Sequence, residues 1–213
     1  MKYALIFGSA LFTASCSANV TAPINTPSQE SKVSQFLAEF MPTHYQKVHE
    51  QPVPIDAQQV QWIRFQKSPS FRLGEENFSY LSDAAHNLKG FSYLDASLVH
   101  GNLPSKVQAQ KIADDFLQRY APDLLQHRKI QWVDQHDETI QLNGNNQKIS
   151  GMKVKMRNLN DGRWFWVIVG KNQHPIIFER DIVWINFPGH RKTEKWLHDS
   201  WLKDEPSYIG QAK

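Results

Sequence analysis

Three short stretches carry side chains that could do chemistry together. Lys153, Lys155 and Arg157 alternate with Met152, Val154 and Met156. Trp164 and Trp166 flank Phe165, and Glu179 and Asp181 follow a further apolar run. Side chains at period two share one face of a strand. Paired as antiparallel strands, the stretches form rows of cations, tryptophans and carboxylates. Such a face can stack a sugar or an aromatic group on Trp164 and Trp166, making it a ligand or partner surface. It can also be structural, with long cationic stems covering the indoles. A phosphate backbone would meet the acidic row, and the formal charge is only +3. Nucleic acid is therefore not expected as a partner.

Catalytic patterns are missing. The nine His residues lie at 44, 49, 86, 100, 127, 136, 174, 190 and 198, with no H-E-x-x-H pair. The one Cys is Cys16, so the body of the chain offers no thiolate, and no metal site is expected. His198, Asp199 and Ser200 are consecutive and would point about 100° apart on a helix, which rules out a triad among themselves. No nucleophile elbow, phosphate loop or dinucleotide fingerprint occurs, so no cofactor is expected. A basic run, Gly189-His-Arg-Lys-Thr-Glu-Lys195, could meet anionic headgroups or peptidoglycan carboxylates.

The N-terminus reads as an address. Lys2 precedes ten apolar residues, Tyr3 to Phe12, and then the small residues Thr13 to Ala18. This is the three-part form of an export signal. Ten residues rise about 15 Å as a helix, half of a hydrocarbon core. With a mean hydropathy of -0.54, a multi-span membrane protein is excluded. Thr13-Ala14-Ser15-Cys16 resembles the lipobox of bacterial lipoproteins. The resemblance implies acylation of Cys16, a membrane partner through that anchor and, with Ser17 next, sorting to the outer membrane facing the periplasm. Cleavage after Ala18, giving a soluble periplasmic or secreted protein, is the other reading. Asn19 to Ser31 is rich in Pro, Ser and Thr and reads as a flexible linker.

The elements that position the rows follow from periodicity. Ser31 to His49 carries apolar residues at helical spacing, interrupted by Pro42 and closed by Pro52 and Pro54. Residues 59–65 read as a strand. Residues 77–88 read as a helix capped by Gly90, and 91–99 as a strand. Ser105 to Gln108 is a capping box opening a helix that Pro122 ends. Strands follow at 129–133, 139–142, 152–157, 163–169 and 176–185, with a turn at Gly144 to Asn146. A short amphipathic helix starts at Thr193 and includes Trp196 and Trp201.

Taking Asp161-Gly162 as a two-residue loop pairs Met156 with Val167, Val154 with Val169, Arg157 with Trp166 and Lys155 with Ile168. Pairing Val169 with Ile176 then sends Ile176, Phe178 and Ile182 to the core and Glu179 and Asp181 to the polar face.

The expected fold class is α+β, with N-terminal helices followed by an antiparallel β-meander packed on a helix, and a short C-terminal helix. Helix-then-meander order resembles PepSY and cystatin-like envelope modules over Ser105 to Ile185. The first half, with a helix at 31–49 and a strand at 59–65, could be a divergent second copy. The expected division is signal 1–15, lipidation site and linker 16–31, a mixed first half 32–103, helix plus meander 104–205, and tail 206–213. The chain reads as an exported, lipid-anchored, non-enzymatic binding or assembly module with an envelope protein or glycan partner. The alternative is a periplasmic hydrolase of cell-wall or polysaccharide substrates.

Overall fold

The computed structural model describes residue 1, residues 31–187 and residues 189–209. The expected export signal from Lys2 onward, Cys16 and all of the expected linker but Ser31 lie outside them. The fold is α+β, built on one antiparallel sheet of eight strands in the order β1 (Gln46–Ile55), β2 (Gln58–Gln66), β3 (Asn77–Ser82), β4 (Leu88–Leu94), β8 (Pro175–Ile182), β7 (Trp164–Gly170), β6 (Asn145–Asn158), β5 (Arg128–Leu142).

Helix α1 (Lys32–Phe40) is capped by Ser31, whose Oγ accepts from the Ser34 N–H at 3.1 Å. It stops at Met41, which is extended because Pro42 disfavours a helical predecessor. The expected N-terminal helices are thus reduced to this one. Residues 46–49 open β1 (Gln46–Ile55), which pairs with β2 (Gln58–Gln66) through Asp56 and Ala57, both at positive φ. Pro52 and Pro54 fit because β1 is an edge strand, where a missing N–H costs no ladder bond.

The expected helix at 77–88 is instead β3 (Asn77–Ser82) turning into β4 (Leu88–Leu94). Every β3 residue is buried, so the strand shows no alternation and Phe78, Leu81 and Leu88 mimic a helical spacing. Gly90 caps nothing. A Cβ there would lie 2.9 Å from Leu197 Cδ1 and 2.9 Å from the Phe178 carbonyl oxygen.

The second half matches its sequence closely. Helix α2 (Lys106–Tyr120) carries the expected capping box, with the Ser105 N–H donating to Gln108 Oε1 at 2.9 Å. After α3 (Pro122–Leu125) come β5 (Arg128–Leu142), β6 (Asn145–Asn158), β7 (Trp164–Gly170) and β8 (Pro175–Ile182). β5 is one strand where two were expected; its polar middle is suited to a sheet edge. Two-residue strands β9 (Trp184–Ile185) and β10 (His190–Arg191) form a small hairpin before α4 (Asp199–Asp204). The last helix begins six residues after Thr193. That threonine is buried and ties strands together: Val183 N–H donates to its Oγ1 at 2.8 Å, and Oγ1 donates to Asp56 Oδ2 at 2.9 Å.

Each half therefore runs helix, then four-strand meander. The two meanders meet at β4 and β8 through three residue pairs, Gly90–Glu179, Phe91–Phe178 and Ser92–Ile177. Helices α1 and α2 cover one face, where Phe36, Phe91, Phe116, Val154, Phe165, Val167 and Phe178 form the main core. Ring centroids there lie 4.8 Å apart for Phe36–Phe91 and 5.2 Å for Phe116–Phe178. The opposite face carries two smaller clusters. One is built on Trp166, Ile168, Ile177 and Ile182, the other on Trp62, Leu81, Trp196 and Leu202. Residues 193–209 form a strap across this second face.

Candidate functional site

The hairpin of β6 and β7 differs from the expected register by two residues. The closing pair is Asn158 with Arg163, whose carbonyl accepts from the Asn158 N–H at 2.9 Å. Four loop residues replace two, so Met156 faces Phe165, Lys155 faces Trp166 and Arg157 faces Trp164. An even shift keeps every side chain on its face. Met152, Val154, Met156, Phe165, Val167 and Val169 all lie in the main core, and Lys153, Lys155, Arg157, Trp164 and Trp166 share the other face.

The third row is only half as expected. Glu179 stands opposite Trp166. Beyond it the ladder slips, so Arg180 and Asp181 together oppose Phe165, with Asp181 at φ 61°. This bulge removes Asp181 from the row and brings Ile182 across from Trp164. Asp181 pairs instead with Lys89 and Arg180. Ile182 and Ile176 join the Trp166 cluster and not the main core; Phe178 alone of the three packs as expected.

Glu179 is 3 % exposed and fully engaged. Trp166 Nε1 and His198 Nε2 donate to Oε2 at 3.0 and 2.8 Å, and Arg191 lies 2.7 Å from Oε1. His198 Nδ1 lies 3.5 Å from Glu138 Oε1, which also meets His136 Nε2 at 2.9 Å. Burial alone would raise the Glu179 carboxyl. Arg191 and His198 outweigh it and hold the group well below the usual carboxylate range. Burial likewise opposes a charge on His198, yet Glu179 and Glu138 push its imidazolium up to about 9. Arg191, His198 and Glu138 reach this site from β10, the strap and β5. In the sequence Arg191 stands in the basic run and His198 in the His198-Asp199-Ser200 cluster, while Glu138 carries no signal.

Lys153 is a buried cation without a carboxylate partner among the described residues. Its Nζ sits 3.7 Å from the Trp166 ring centroid and, among the described residues, makes no hydrogen bond or ion pair. Burial draws it down to about 8. Lys153 and Trp166 floor a cleft of about 460 Å3 whose walls include Trp184, Trp201, Arg191 and Lys195. Lys155, farther along the row, is ringed by Trp132, Trp164 and Trp184 at 5.4, 4.6 and 5.0 Å. Arg157 lies over Trp164 at 5.6 Å.

These groups suit anion capture better than acid–base chemistry. Both His198 nitrogens face carboxylates, which leaves none for a substrate proton, and Glu179 is held ionised by three donors. No group of His, Cys, Asp and Glu able to hold a metal occurs among the described residues. A smaller cleft of about 230 Å3 between α1 and α2 includes Glu39 and Arg119, but these pair with each other. Comparison with family models, curated proteins and solved structures finds no match for this chain.

The charge network has a pH signature. His198 is raised in the fold, so its stabilising contribution is complete below its ordinary value near 6.5 and is lost as pH rises through about 9. Lys153 acts in the opposite sense, because its buried charge is relieved above about 8. The melting temperature of His198→Gln should therefore fall short of wild type most at pH 6 and converge with it near pH 10, by calorimetry at matched ionic strength. A constant gap across that range would exclude a charged His198.

Proposed function

We propose that this chain is an exported envelope protein, held to the outer membrane through acylated Cys16 and facing the periplasm. There it acts as a non-enzymatic binding module for an anionic glycan. One observation carries the ligand class: an ammonium without an acceptor, Lys153, stands over a buried indole in a tryptophan-walled cleft. A sugar ring stacks on an indole face while its carboxylate takes the free cation. Arg191 is already paired with Glu179, so Lys153 on the floor and Lys195 on the wall are the cations left for the ligand. Export and anchoring are supported by the signal and lipobox pattern at Thr13 to Cys16. The hydrolase reading has less support, since neither Glu179 nor His198 is free to move a proton.

Intrinsic tryptophan fluorescence tests this directly. Soluble muropeptides, which carry carboxylates, should quench or shift emission, and an uncharged chito-oligosaccharide should bind more weakly. Lys153→Met should weaken muropeptide binding by roughly tenfold, the scale of one charge-assisted hydrogen bond. The same change should leave the melting temperature at or above wild type, because it removes a buried charge. Equal affinity of wild type and variant would sink the assignment.

A further inference from the structure

We infer that the β9–β10 hairpin, with the β6–β7 turn beside it, is a docking surface for an anionic phospholipid membrane. Phe187, in the hairpin loop, is 92 % exposed, and Trp184 at its base is 40 % exposed. Ile185, Trp132 and Leu159 complete an exposed apolar group at this end of the sheet. Their proximity is set by two contacts. Lys155 lies between Trp132 and Trp184, and a cleft of about 250 Å3 brings Arg163 of the turn together with Trp184 and Asn186 of the hairpin.

The charge around this group is one-sided. Lys155 and Lys192 make no ion pair among the described residues, and Arg157 and Arg163 are the arginines there that make none, since Arg64, Arg72, Arg119, Arg128, Arg180 and Arg191 all do. Two acids lie nearby, each engaged by a backbone N–H, and Asp161 stays exposed in the turn. The Asp161 carboxylate accepts from the Arg163 N–H at 2.9 Å, and Glu194 accepts from the Asp56 N–H at 3.0 Å. Exposed tryptophan and phenylalanine among unpaired cations match the headgroup layer of an anionic bilayer, where rings sit at the interface and cations meet phosphate. A protein partner would have to supply a pocket shaped for the protruding ring, whereas a bilayer interface takes it up without shape complementarity.

The test uses the full chain with Cys16→Ala, so that no acyl group contributes. Sedimentation with phosphatidylglycerol–phosphatidylcholine vesicles should carry the protein down, and pure phosphatidylcholine vesicles should not. Added salt should release it, because screening weakens the cationic contribution. Phe187→Ser should weaken vesicle binding by roughly tenfold or more, given the apolar area it withdraws from the interface. Val107→Ser, an exposed change on α2, should leave binding unchanged. Binding that survives Phe187→Ser, equal binding to uncharged vesicles, or no binding at all would overturn the inference. A normal melting temperature for Phe187→Ser makes its result readable.

Discussion

Replacing Asp199 by Ala should lower the melting temperature by roughly 10 °C. Asp199 takes both ends of the Arg64 guanidinium, with Nη1–Oδ1 and Nη2–Oδ2 each at 2.7 Å, and it also accepts from the Gly74 N–H at 2.6 Å. Arg64 has essentially no exposure. Removing one member of a buried pair strands the other, at a cost of about 3–5 kcal/mol. In a protein of this size each kcal/mol corresponds to about 2–4 °C. The damage should be concentrated in the strap, which would loosen from β2. The double change Arg64→Met with Asp199→Leu should recover much of the loss, since an apolar pair leaves no stranded charge. A single variant melting within experimental error of wild type would mean that the strap is held by its tryptophan contacts alone.

The second large effect concerns the two neighbouring tryptophans, which should behave differently. Trp166 is 4 % exposed, donates to Glu179 and lies under Lys153. Trp166→Ala should cost about 3–5 kcal/mol in urea unfolding, as for other buried aromatic truncations. Trp164 is only partly buried and is covered by cations whose exposed contacts are worth about 0.5–1 kcal/mol each. Trp164→Ala should cost about 1 kcal/mol. The reverse order, or equal costs, would contradict the layout of this face. The split marks Trp166 as a structural floor, so tests of the proposed ligand should vary Lys153 and leave the indole in place.

Much of the face was legible because period-two alternation survives any even shift in register. The four-residue loop at 159–162 displaced every expected partner between β6 and β7, yet the displacement was even and the faces survived. The row ended at Asp181 because a bulge there changes the parity, and nothing in Glu-Arg-Asp-Ile announces a left-handed residue. The α2 capping box was readable because its donors and acceptors are local. β3 was not, since a strand buried on both faces loses the alternation that marks strands. Pro52 and Pro54 mark an edge strand, and a proline in sequence looks the same at an edge as at a stop. Among the site residues, Lys153, Trp166 and Glu179 could be found from pattern. His198 and Glu138 join them through contacts spanning 19 or more residues, and such contacts leave no periodic trace.

The three-pair seam between β4 and β8 has a consequence for how the molecule comes together. Every other neighbouring pair in the eight-stranded sheet is also consecutive in the chain, so each meander can zip up locally as it leaves the ribosome. Chain-closure entropy is concentrated in the seam. The strap is translated after both meanders. It grips the first through Arg64 and Trp62 and the second through Glu179 and Glu138. The final stretch of the polypeptide thus acts as a clasp across the one joint whose partners are far apart in sequence.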